Sequence, residues 1–72
     1  MMKSGGCIRV KIVSVRHTDG EYAWQKAEEE VNNALNTLEN EGAEILDIIA
    51  SSTGCEGYVT VAVLIVYRKS MC

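Results

Sequence analysis

The sequence predicts an α+β fold: a single β-α-β-β domain with one long helix on one face of a three-stranded antiparallel sheet of order 1-3-2. Three observations carry that prediction. Residues 7–16 alternate in the rhythm of a strand, and residues 19–41 place apolar side chains at three- and four-residue steps. Residues 57–69 form a strand-length run that is apolar in both phases.

The first strand, CIRVKIVSVR, is dense in β-branched residues, with Ile8, Val10 and Ile12 on one side and Arg9 and Lys11 on the other. After Ile12 the apolar phase passes to Val13 and Val15, which predicts a bulge or a strand end apolar on both faces. Thr18 followed by Glu21 has capping-box spacing and starts the helix. Its core stripe is Trp24, Ala27, Val31, Ala34, Leu35 and Leu38, while Lys26, Glu28, Glu29, Asn32, Asn33, Asn36 and Asn40 face water. Gly42 stands where a left-handed helix terminator belongs. Residues 43–51 read as the second strand, SSTGCEG as a glycine-containing loop, and 57–69 as the third strand.

Tyr58, Thr60, Ala62, Leu64 and Val66 form one face of that last strand, and Val59, Val61, Val63, Ile65 and Tyr67 the other. Both call for cover, so the strand is central and one helix serves only one face. The second set, Val59 to Tyr67, is expected to be the interface of a closed homo-oligomer, a dimer or a higher ring, with Arg9 and Lys11 at its rim.

The composition suits this picture. The chain has 72 residues, 47% hydrophobic and 24% charged with no proline, which makes one folded domain with an ordered core of about 7–69. A net charge of −3 and a pI near 5.0 speak against nucleic acid as partner, since such binders neutralise phosphates with excess Lys and Arg. The charge is divided: Lys3, Arg9, Lys11 and Arg16 precede any acid, residues 19–56 hold all ten acids with Lys26 alone among the bases, and Arg68 and Lys69 follow. Tyr58–Tyr67 is half the length of a membrane span, and MMKSGG lacks the apolar core of a signal peptide. Cys7, Cys55 and Cys72 make no CxxC pair. A reducing cytoplasm is the expected location.

The stretch Glu41-Gly42-Ala43-Glu44-Ile45-Leu46-Asp47-Ile48, followed after a short loop by Val63-Leu64-Ile65-Val66-Tyr67-Arg68-Lys69, resembles a small sporulation-protein family of endospore-forming bacteria and related β-α-β-β domains. The likeness spans residues 8–69 and rests on hydrophobic pattern. It implies the fold and a spore-former or phage setting, in which such a protein could sequester a nucleotide signal; it implies no activity. In length and strand order the chain is also similar to the dodecins, small flavin-storing oligomers that stack flavin on an aromatic residue of the sheet. Here Trp24 lies on the helix and the second strand has no aromatic residue, so no flavin or other cofactor is expected.

No paired carboxylates, triad or metal-ligand spacing appears, which predicts a protein that is not an enzyme and holds no metal. His17, between the first strand and the helix, reads as a solvated loop residue, although Ser14, Thr18 or Cys55 are conceivable catalytic companions. Cys55 is the thiol expected to be most exposed and Cys72 belongs to a frayed end. The 51–57 loop could cradle an anion but lacks the lysine and helix of a phosphate loop. Glu28–Glu30 is a solvated helix face. Arg9, Lys11, Arg68 and Lys69 are expected to gather at one end of the outer sheet surface. There they protect an edge, hold an anionic nucleotide-like ligand between subunits, or meet the acidic helix of a neighbour. The functional expectation is an interaction module that self-associates, with small-molecule binding at the basic group as the alternative.

Overall fold

The structure, a computed structural model, describes residues 6–70. Its elements are β1 (Cys7–His17), α1 (Gly20–Asn40), β2 (Glu44–Cys55) and β3 (Tyr58–Lys69). The strands form one antiparallel sheet of order β1-β3-β2, so the fold class and topology are those the sequence predicts. The phase change in β1 is not a bulge: its pairing with β3 runs unbroken from Cys7 opposite Lys69 to His17 opposite Val59. The bulge lies in β2, where Leu46 is extra between Ile45 and Asp47, and the Asp47 Oδ1 accepts a hydrogen bond from the Ile48 amide at 2.8 Å.

Both ends of α1 are closed by local chemistry, although the N-cap is Asp19 and not Thr18. The Asp19 Oδ1 accepts from the amides of Glu21 at 3.0 Å and Tyr22 at 3.3 Å, taking two donors that the first turn leaves free. Asp19→Ala is expected to cost about 1 kcal/mol, read as a lower midpoint in urea with an unchanged slope. At the other end Gly42 has φ +81°. Its amide donates to the Glu39 carbonyl and that of Ala43 to the Leu38 carbonyl, the paired bonds of a Schellman turn.

The expected 51–57 loop is shorter than the sequence suggests. β2 continues to Cys55, and Glu56-Gly57 alone turn the hairpin, both with positive φ (55° and 81°). Two consecutive left-handed residues make a type I′ turn, whose twist matches that of the flanking strands. β pairing therefore absorbs the Ser and Thr of the segment, setting Ser51 opposite Ala62, Ser52 opposite Val61 and Thr53 opposite Thr60.

The core is Val13, Val61, Val63 and Ile65 under Ala23, Ala27 and Leu38, with Val15, Val31, Leu35, Ile45 and Tyr67 packed around them. This settles which face of β3 the helix takes, and it corrects the expected interface. Val59, Val61, Val63, Ile65 and Tyr67 lie beneath α1. In register with them, Val13 faces Val63 and Val15 faces Val61. The reason is the unbroken branched aliphatic row on that side of β3, continued by Val13 and Val15; the opposite row is interrupted by Thr60 and Ala62. Small residues at Ala23 and Ala27, both fully or almost fully buried, let the helix backbone sit close to this row.

The molecule is a slab of two layers, 51 × 21 × 14 Å, with a radius of gyration of 14.6 Å. A compact chain of this length would have about 11 Å. The helix packs on β1 and β3, and β2 is left largely uncovered on the helix side.

Candidate functional site

Side-chain alternation assigns every strand residue to a face once Val13, Val61 and Ile65 are placed under the helix. The face turned away from the helix carries Ile8, Val10 and Ile12 from β1, Ala62, Leu64 and Val66 from β3, and Ile49 from β2. Ile8 is 62% exposed, Val10 50%, Ile12 65% and Ile49 49%. Branched aliphatic side chains thus cross all three strands along the row Ile12, Leu64 and Ile49, while Asp47, opposite Val66, puts one carboxylate on the β2 side of the same face.

Polar groups frame the field at both ends. Near the hairpin the Arg16 guanidinium lies 5.0 Å from the centre of the Tyr58 ring, a cation–π contact. At the other end Arg68 Nη1 and Glu44 Oε1 are 3.2 Å apart. An apolar centre with a polar, ion-paired rim is the anatomy of a protein–protein interface.

The four cations expected to gather do not share a surface. Arg9 and Lys11 stand opposite Tyr67 and Ile65 and so belong to the helix side, which corrects their expected outward direction. Arg68 is on the outer face and bound to Glu44, and Lys69 Nζ lies 3.4 Å from Glu41 Oε1. Two of the four are thus paired with carboxylates, and Arg9 and Lys11 are separated from Arg68 by the sheet. A single anion cannot touch all of them.

The remaining sequence candidates fall as follows. His17 closes β1; its Nδ1 accepts from the Asp19 amide at 2.9 Å, and its ring centre lies 4.3 Å from that of Tyr22, so it braces the turn into α1. Trp24, expected in the core, is 46% exposed and lines an apolar groove of about 530 Å³ between α1 and β2. It is exposed because the helix lies over β1 and β3, leaving the flank toward β2 open. Glu28, Glu29 and Glu30 are exposed. Cys7 is disulfide-bonded. Cys72 and Lys3, like the side chain of Cys55, lie outside the described residues. Among the described residues no group of His, Cys, Asp or Glu could hold a metal ion, and no buried side-chain polar atom lacks a hydrogen-bond partner. Among the described residues no helix is long and apolar enough to cross a membrane.

The outer field was legible in part. Ile8, Val10 and Ile12 are visible in the sequence as one face of β1, but Ile49 joins them only through the bulge at Leu46, which resets the phase of β2. Compared with known proteins, the chain matches no protein family, no curated protein and no solved structure.

Proposed function

We propose that this chain is a non-enzymatic interaction module that works as a homo-oligomer, with the outer sheet face as its self-association surface. The observation that carries this reading is the apolar field of Ile8, Val10, Ile12, Leu64, Val66 and Ile49, left uncovered in a two-layer slab. Each aliphatic side chain moved from water into an interface contributes about 1.5–3 kcal/mol when fully buried. Ile8, Val10, Ile12 and Ile49 are already about half covered, so burying the remainder contributes about 3–6 kcal/mol per copy, a sizeable share of the stability of a domain this small. Two copies stacked outer face to outer face bury the field twice through one two-fold axis, with the sheets about 10 Å apart. The Arg16–Tyr58 and Arg68–Glu44 pairs then sit at the margin and keep their water.

A setting in spore-forming bacteria or their phages belongs to this proposal and rests on resemblance alone. The cysteine spacing supports a cytoplasmic location, and the disulfide at Cys7 weighs against it. Sedimentation equilibrium at micromolar concentration tests the assembly. The expected result is a mass at twice 7.9 kDa or a higher multiple, and a stable monomer overturns the reading.

A further inference from the structure

The sheet has two long free edges, β1 and β2, and they differ in charge. β1 carries Arg9, Lys11 and Arg16 and no acid, whereas β2 carries Glu44 and Asp47 and no base. Ion pairing sharpens the difference. Lys26, Arg68 and Lys69 each meet a carboxylate within the chain. Arg9 and Lys11, on the helix side of β1, have no ion-pair partner among the described residues, and neither have Glu21 and Glu28. Those two acids line the groove between α1 and β2, whose floor is apolar: Trp24, Val31, Ile48 and Ala50. Arg9 and Lys11 are thus on the β1 edge of the slab and Glu21 and Glu28 on the β2 side; Glu30, likewise without an ion pair among the described residues, lines the β1-side cleft with Lys11.

We propose that the β2 edge, with the groove beside it, takes the β1 edge of a second copy of this chain. The inference rests on the self-association reading above and adds a second, different contact to it. Charge favours this contact over the symmetric alternatives: pairing β1 with β1 brings two sets of cations to one seam, and pairing β2 with β2 leaves Arg9 and Lys11 without acids. Only β1 against β2 is complementary.

Geometry agrees on both faces. β1 and β2 are each antiparallel to β3 and hence parallel to one another, so a second copy set alongside presents its β1 parallel to β2. With the sheets continuous, its Val10 falls beside Ile49, with Ile8 beside Asp47 and Ile12 beside Ser51, so the outer apolar field continues across the seam through Val10. Its Arg9 and Lys11 fall on the groove side, where their alkyl stems cover Ile48 and Ala50 and their charged heads reach toward Glu21 and Glu28. A head-to-tail contact of this kind leaves a free β1 at one end and a free β2 at the other. It closes as a ring or grows as a filament.

Size-exclusion chromatography with light scattering tests the edge separately from the face. The wild type is expected to exceed a dimer in mass. Arg9→Glu with Lys11→Glu, both exposed positions, is expected to reduce it to the face-to-face dimer. Adding Glu21→Lys and Glu28→Lys to that variant is expected to restore the larger species, which a merely structural effect would not do. A wild type that is only a dimer, or a charge-reversed variant that keeps the wild-type mass, overturns the edge contact and leaves the face-to-face reading standing. A monomeric wild type overturns both.

Discussion

Val10→Lys combined with Ile12→Lys is expected to abolish face-to-face association while leaving the domain folded. Both side chains are at least half exposed in the single chain, so the monomer loses little and its far-ultraviolet circular dichroism should match the wild type. In the stacked dimer the same positions lie in the apolar centre of the interface, where an unpaired ammonium costs about 3–5 kcal/mol. The two-fold axis doubles every substitution, so the dissociation constant should rise by more than about 1,000-fold. Loss of the dimer with retained helix signal is the expected reading. A double variant that remains a dimer would place the interface elsewhere.

Ile65→Ala is expected to act in the opposite way. Ile65 has no exposed surface and lies in the row that α1 covers, where truncation of an Ile to Ala costs about 2–5 kcal/mol. A domain of this size has roughly 4–11 kcal/mol in total, so the variant should unfold at much lower denaturant, or fail to fold. The matched control is Ile12→Ala on the outer face: the same chemical change at an exposed site, expected to alter monomer stability by less than about 0.5 kcal/mol and to weaken only assembly. Measured by urea titration below the dissociation concentration, the pair separates core from interface. Equal losses at both positions would mean the face assignment is wrong.

Much of the fold is written in local patterns. The helix stripe, the terminator at Gly42 and the two-phase run of β3 each follow from side chains a few residues apart, and they place β3 in the centre. The N-cap lies one residue beyond the position that the capping-box spacing indicates, because Thr18 and Asp19 are adjacent and either can accept from first-turn amides; Asp19 is the one whose carboxylate meets the Glu21 and Tyr22 amides. The hairpin turn is shorter than its composition indicates because Ser51, Ser52, Thr53 and Gly54 look like loop residues until β3 offers them partners.

The candidate site was legible as a need and not as a surface. That one face of the sheet lacked cover followed from β3 being apolar in both phases while only one helix exists. Which face it was did not follow, and because strand side chains alternate with a period of two, that single undecided choice carried Val59–Tyr67, Arg9 and Lys11 together to the wrong side. The sequence by itself determined the element order, the central strand and the existence of an uncovered apolar face, since these depend on local periodicity and on counting layers. Tertiary structure alone decided the rest. Packing of Ala23, Ala27 and Leu38 on the branched row of β3 chose the buried face, and the bulge at Leu46 brought Ile49 into the exposed one. Both are contacts between residues far apart in the chain, where no local pattern can reach.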